Sequence, residues 1–332
     1  MPTLLFVVNM IEVDNITKQF GPVLAVDQVS FYVARGEVVG FLGPNGAGKS
    51  TVMRILACFF PPTAGKARVG GYDVTSHSLE VRRMVGYFPE KASVYLDLPV
   101  RAFLGFVAEA KDVPRSQRAQ EIGRVMENCG LQEVQERIIG HLSKGYRQRV
   151  GIAQALIHDP EVLILDEPTI GLDPEQVVEI RKLIHDLGKE RTVILSTHIL
   201  PEVSTVCDRV IVINRGRILT SESLKELRAQ LQRTHRVRVE VEGPRDQAIE
   251  VFSRLPGVVR VEGDGGQEGT TLFTSTSTST FIVEYEGGDI RKEVSRAVLE
   301  RGWGLLEVRS VEPTLEDIYL KLIHESGGAQ EE

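Results

Sequence analysis

Cysteine is scarce. Cys58, Cys129 and Cys207 are the only three in 332 residues, and they are far apart, odd in number and free of C-x-x-C spacing. That excludes a disulfide framework or a Cys-built zinc site as the stabilising device and fits a reducing cytosol. Long apolar runs are missing as well: Leu4–Val8 is too short for a membrane span or a secretory core, and no cationic residue precedes it. Nor is there an excess of basic residues. Lysine plus arginine number 39 against 46 aspartate plus glutamate, a formal charge of −7 with a pI near 5.7, which argues against nucleic-acid binding through a broadly basic surface. What remains is an ordinary globular composition, 42% hydrophobic and 26% charged, in a chain long enough for two or three domains.

The stretch Gly43-Pro44-Asn45-Gly46-Ala47-Gly48-Lys49-Ser50-Thr51 fits the phosphate-binding loop G-x-x-x-x-G-K-[ST] at every required position. Its context fits too: Glu37–Leu42 reads as a buried strand before it, and Val52–Leu56 carries apolar residues at helical spacing after it. Gly43, Gly46 and Gly48 let backbone N–H groups turn toward phosphate oxygens, and the helix N-terminus adds the positive end of its dipole. In that geometry Lys49 reaches the terminal phosphates, Ser50 offers a hydroxyl to Mg²⁺ and Thr51 supports the phosphates nearby. Taken alone, the pattern is also that of a Gly-rich turn before an ordinary helix.

Residues 1–9 are expected to be a disordered extension or the product of an upstream start, because a strand pattern begins at Met10–Val13. Residues 10–36 read as short strands and turns. Phe20, just before the Gly21-Pro22 turn, is either core or a stacking face for an adenine. Residues 66–88 read as further strands, ending in a loop that carries Glu90. From about 98 to 140 the pattern turns helical, polar on one face and broken at Pro114, the mark of an inserted helical subdomain. Ser143, in Leu142-Ser143-Lys144-Gly145-Tyr146, then caps a helix that continues through Ile157. Its free N–H groups can hold a phosphate, while the Arg147/Arg149 face is expected to be solvated.

Val162–Leu165 is a buried-strand run that closes on Asp166-Glu167-Pro168. A carboxylate at a strand's C-terminal end beside a phosphate loop suits Mg²⁺, which points to Asp166; Glu167, aimed elsewhere, suits proton acceptance from an attacking water. Asp173-Pro174 marks the next loop and helix start. The strand Thr192–Thr197 ends at His198, whose imidazole faces the same crevice and can reach a γ-phosphate; His141, His158 and His185 have no comparable placement. Beyond residue 235 the order strand, helix, strand, strand, helix, strand, from Val237–Val241 to Leu305–Val311, is the split β-α-β pattern of a ferredoxin-like domain. A final helix follows, with Thr314 as cap and Leu315, Ile318, Tyr319 and Leu322 on one apolar face. The Ser-Thr run Thr274–Thr280 reads as an exposed hairpin or mobile loop.

The succession Phe20, phosphate loop, Glu90, Leu142–Tyr146, Asp166-Glu167, Asp173 and His198 resembles the nucleotide-binding subunit of ABC transporters over about residues 10–220. The resemblance implies an α/β P-loop NTPase core with an N-terminal antiparallel β layer and the inserted helical subdomain. It implies ATP and Mg²⁺ as cofactors, and ATP hydrolysis that energises a separate integral-membrane permease. By the same resemblance Glu167 is the catalytic base with His198 and Lys49 beside it, Phe20 and residues 43–51 meet the nucleotide, and Ser50, Glu90 and Asp166 meet the metal. Ser143 and Gly145 would meet the ATP of a second cassette, the same chain or a paired one, joined head to tail, and Asp173 is a further nucleotide-binding residue. Glu90 stands where the family usually has Gln, and Lys144 and Tyr146 depart from its L-S-G-G-Q. These departures, with the C-terminal domain and tail, are similar to a single-cassette exporter branch serving drugs, lipids, glycans, sodium efflux or gliding motility.

The domains expected are an ATPase domain at 10–225, with its helical subdomain at about 91–155, and an accessory domain at 235–325. The expected place is peripheral, on the cytoplasmic face of the cell membrane. Two other readings share the motifs. One is a soluble ABC ATPase of DNA repair or translation, though those usually carry two cassettes or a long coiled coil where this chain has one phosphate loop and no sustained heptads. The other is a regulatory module that binds ATP without hydrolysing it, which the presence of both Glu167 and His198 disfavours.

Overall fold

The first apolar alternation builds two strands longer than those expected, β1 (Asn9–Phe20) and β2 (Val23–Ala34), each of 12 residues and paired antiparallel. Bulges, not turns, carry the irregularity: Asn15 (φ 48) and Gln28 (φ 51) sit in the left-handed region, and the pairing shifts around them and resumes. The computed structural model describes residues 9–231, 235–263 and 278–311, together with Glu316, Asp317, Tyr319 and Ile323. Asn9, placed by the sequence in an N-terminal extension, therefore opens β1, and residues 1–8 lie outside the described ones.

β3 (Val38–Leu42) is buried at every position and leads through the glycine loop into α1 (Lys49–Leu56). β4 (Ala64–Val69) and β5 (Tyr72–Asp73) complete an antiparallel sheet of order β2-β1-β4-β5. The expectation of strands throughout 66–88 fails at α2 (Ser78–Met84), which runs directly into β6 (Val85–Phe88). Only Val81 is buried in α2, with Met84 packed on the core three positions later, a helical repeat too short to stand out between strands. α3 (Val100–Ala110) and α4 (Arg118–Asn128) flank Pro114, and α5 (Lys144–Leu156) follows. Then come β7 (Val162–Asp166), α6 (Pro174–Gly188), β8 (Thr192–Thr197), α7 (Leu200–Val206), β9 (Arg209–Asn214), β10 (Arg217–Ser223) and α8 (Leu224–Leu231).

The second sheet has the order β10-β9-β3-β8-β7-β6, parallel except for β10 against β9. Its central strands are apolar without alternation because both faces are covered. One face packs on α1 and the antiparallel sheet through Phe31, Phe41, Met53, Ile164, Ile194 and Ile211, each contributing about 1.5–3 kcal/mol on full burial. The other face lies so close to α5 and α7 that a Cβ on Gly86 would stand 2.2 Å from Ala155 O, and one on Gly40 2.4 Å from Val203 Cγ1. The carboxyl ends of β3, β8 and β7 finish side by side, so segments 43–48, 198–199 and 167–173 leave the sheet at one edge.

His158, just past α5, lies with Nε2 3.2 Å from Val85 O. Burial first, and the charge of Lys111 second, push its pKa from 6.5 down to about 4. Folding thus favours the neutral ring: the stabilisation is complete above about 6.5 and is lost as pH falls through about 4. A loss of about 2–3 kcal/mol across that window is expected, read as a fall in Tm that is smaller in His158→Gln than in the parent.

Contacts divide the described residues into two compact units at Leu224/Lys225. The second contains β11 (His235–Glu242), α9 (Arg245–Ser253), β12 (Val258–Gly263), β13 (Thr278–Tyr285), α10 (Arg291–Glu300) and β14 (Gly304–Val311), in an antiparallel sheet of order β12-β13-β11-β14. Val237, Val239 and Val241 alternate into a core with Phe252, Phe281, Val294 and Val298. On the opposite face Arg236 pairs with Glu284 and, at 2.7 Å, with Asp317. Thr278–Thr280, expected in an exposed hairpin or a mobile loop, belong to β13, where the Ser-Thr alternation satisfies the period of 2 and Thr is β-branched. Residues 274–277 lie outside the described ones. So do Thr314, Leu315, Ile318 and Leu322 of the expected final helix, of which Glu316, Asp317, Tyr319 and Ile323 are helical.

Candidate functional site

Gly48 precedes α1 at φ 104, and no side chain caps the helix, which leaves its first N–H groups to an anion. Bulk is excluded on the loop's inner side: a Cβ on Gly43 would meet Ile213 O at 2.3 Å and one on Gly48 would meet Ala25 O at 2.6 Å. Asn45–Thr51 line a cleft of about 300 Å³ together with Ala25, Glu90, Glu167 and Ile170. The buried Lys49 sends Nζ back over the loop, donating to Gly43 O at 2.7 Å and Pro44 O at 3.2 Å, and stands 3.2 Å from Glu167 Oε1.

β7 delivers two adjacent carboxylates with different surroundings. Asp166 is fully buried; its Oδ1 accepts from Ser50 Oγ at 3.0 Å and Ser196 Oγ at 2.6 Å, whereas Oδ2 has no hydrogen-bond partner. Leaving a buried acceptor unpaired costs about 1–3 kcal/mol, and more for a charged group, so Oδ2 is an acceptor with its bonding capacity unspent. Glu167 turns the chain at φ 50, its N–H shared between Ser196 O and Ser196 Oγ, each at 3.1 Å. The turn sends its side chain elsewhere: Oε2 lies 2.9 Å from His198 Nδ1, and Oε1 meets Lys49 as a charge contact without hydrogen-bond alignment.

The cleft thus gathers Lys49, Ser50, Asp166, Glu167 and His198, with Glu90 on its wall. The other residues singled out from sequence stand apart. Phe20 ends β1 with its ring edge-on to Phe60 at 5.4 Å and the Lys18 ammonium 5.1 Å away; it is 45% exposed and does not line the cleft. Ser143 caps α5, accepting from Tyr146 N at 3.3 Å, and Asp173 caps α6, accepting from Gln176 N at 2.9 Å. Gly145 abuts Gln176, whose Cδ would be 2.9 Å from a Cβ there, so Ser143, Gly145 and Asp173 form a second group off the cleft lining.

Several contributors were not legible. Ser196 closes on Asp166 from the neighbouring strand, and Tyr87 of β6 feels it as well: burial first and the Asp166 charge second push the phenol up to about 12. The Arg147/Arg149 face is not simply solvated. Arg149 donates to Cys129 O at 3.0 Å and pairs with Glu179 at 2.8 Å, and Gln148 between the arginines is buried, donating to Pro168 O at 3.1 Å.

The family model for "ABC transporter" matches residues 26–170. The bacitracin transport ATP-binding protein BcrA of Bacillus licheniformis is 33% identical over 326 residues, 95% of this chain and 97% of that protein. Among solved structures, cbiO1 from Clostridium perfringens, part of the ABC transporter complex cbiONQ, matches with a TM-score of 0.62 and 27% identity over 75% of this chain and 96% of that one. The ATP-binding cassette MJ0796, dimeric and bound to ADP and Pi in a post-hydrolysis state, matches with a TM-score of 0.59 and 25% identity over 65% and 99%.

Proposed function

The chain belongs to the ABC transporter family as an ATP-hydrolysing, ATP-binding subunit, and from that premise we propose that its cleft takes Mg-ATP, that Glu167 activates the attacking water, and that turnover drives export through a separate membrane permease. The observation that carries the reading is the contrast between the two carboxylates ending β7. Asp166 is tied to Ser50 and Ser196 through one oxygen with the other unpartnered, while Glu167 is held between His198 and Lys49.

The donor set fits Mg²⁺, a hard cation that prefers oxygen: Ser50 Oγ and Asp166 Oδ2 would hold it, with Glu90 contributing from the cleft wall. Bound there, the ion would supply positive charge that offsets the charge of the phosphates. Lys49 supplies a second positive charge at the terminal phosphate. Glu167 takes the proton of the attacking water, and His198, oriented by its Nδ1 contact to Glu167, turns Nε2 to the γ-phosphate. The half-exposed ring of Phe20 is the stacking face for adenine.

Ser143, Gly145 and Asp173 lie off the cleft lining, and the dimeric MJ0796 cassette supports a pairing of two cassettes; joined head to tail, they would close over the partner's ATP. In light scattering, Glu167→Gln protein is expected to double its mass with ATP and stay unchanged with ADP. No ATP-dependent mass increase, with or without a permease, would sink the sandwich.

Among the described residues no helix is long and apolar enough to cross a membrane, and this reading assigns the transport path to a separate permease chain. Its docking place is the surface beyond Glu90, where the exposed Tyr95 and Phe106 meet with ring centres 5.3 Å apart and planes tilted by 39°. A neighbouring groove of about 410 Å³ adds the exposed Phe59 and two cations, Arg82 and Lys111, with no ion-paired carboxylate among the described residues. The bacitracin transport protein supports a bacitracin-like cargo, and a subunit that works with such a permease would sit at the cytoplasmic face of the membrane. The strand order of the second unit supports a ferredoxin-like domain within about 235–325, joined to an ATPase domain at about 10–225.

A further inference from the structure

The β7–β8 ladder ends at Asp166 and Ser196, before either Glu167 or His198 is reached. Past that point the two chains diverge, one into segment 167–173 and the other toward α7, yet the Glu167–His198 contact of 2.9 Å demands that they keep their spacing. Glu202, on α7, spans the gap. It is 1% exposed and uses both oxygens: Oε1 accepts from Thr169 Oγ1 at 2.5 Å and Oε2 accepts from Thr197 Oγ1 at 2.7 Å. Both hydroxyls are themselves buried. Thr197 Oγ1 also accepts from Ile199 N at 3.0 Å, so it grips the backbone on both sides of His198. On the other chain, Thr169 O accepts from Leu172 N at 3.2 Å within the loop that runs to Asp173.

Burying a carboxylate is costly, and here the ion-paired cation, Arg181 of α6, is 3.9 Å away, too far for a charge-assisted hydrogen bond. An apolar side chain would fill the space without that cost. What a carboxylate adds is two acceptors at a fixed angle, one for each diverging chain. We propose that Glu202 is a positioning residue for hydrolysis: by tying Thr169 to Thr197 it sets the spacing of Glu167 and His198 beyond the end of the ladder. The inference rests on Glu167 being the base and adds what holds it in place.

Thr169→Val and Thr197→Val each remove one tether at nearly constant shape. Both are expected to bind one nucleotide per chain with unchanged Kd and KM while kcat falls about 10-fold, the scale of a small misplacement of reacting groups. The double variant is expected to fall no further than the slower single, because the clamp is lost when either tether goes. Glu202→Gln, whose amide accepts from one hydroxyl and donates to the other, should retain more turnover than Glu202→Ala. Added to Glu167→Gln, Thr169→Val should change nothing more. Nucleotide occupancy measured on the same samples separates misfolded protein from slow protein. Parental kcat in both Val variants at full occupancy overturns the clamp. Failure of the base reading shows elsewhere, as parental turnover in Glu167→Gln itself.

Discussion

Glu167→Gln is expected to bind ATP as the parent does and to hydrolyse it about 10²–10⁴-fold more slowly. The substitution keeps the size of a residue only 4% exposed, and its amide oxygen still takes a hydrogen bond from the His198 side of the cleft at the position of Oε2, 2.9 Å from Nδ1. The backbone is also spared, since the N–H bonds to Ser196 do not involve the side chain. What disappears is the ability to accept a proton, so the loss falls on kcat and not on Kd. Calorimetric titration with ATP and single-turnover release of phosphate make the separation. Turnover within a few-fold of the parent would move the base to another group.

Lys49→Ala is expected to act one step earlier, at binding. Nζ is, among the described residues, the one side-chain cation touching both the loop, through Gly43 O and Pro44 O, and the acid, through Glu167 Oε1. Removing a charged donor to a phosphate costs about 2–4 kcal/mol, or ~30- to 1000-fold in Kd. A second cost falls on the apo fold, because Glu167 stays buried after its charge partner is gone, and breaking a buried pair from one side is strongly destabilising. Lowered ATP affinity with a lowered Tm is therefore expected, and Lys49→Arg should recover more of the Tm than of the affinity, since it restores charge but not the compact fit. Intact affinity in Lys49→Ala would mean that the lysine serves only the transition state.

The parts of this site that were legible are those whose chemistry is contiguous. The glycine loop, the apolar run ending in Asp166-Glu167 and the strand ending at His198 each carry their meaning in a few neighbouring residues, because a strand end fixes where the next side chain is delivered. Ser143 was readable for a similar reason, as a cap ahead of a helix, and Asp173-Pro174 as a helix start, though the capping by Asp173 itself came from the structure. Ser196, Thr169 and Glu202 were not: each matters only through a partner some 5 to 33 positions away, on a chain that the parallel sheet brings alongside. In the fold, the long hairpin of β1 and β2 was obscured by two left-handed bulges that interrupt the period of 2, and α2 by having a single buried residue.

The left-handed backbone of Glu167 sets the chain's catalytic purpose against its own robustness. A side chain at φ 50 is held in a conformation that costs an L-residue about 1–2 kcal/mol and that glycine adopts freely. A programme of stabilisation guided by backbone geometry alone would select this position for glycine, and would obtain a sturdier protein that no longer turns over. If Glu167 is the base, that strain is the cost of keeping its side chain at the strand end, and hardening the cassette at this position would silence it.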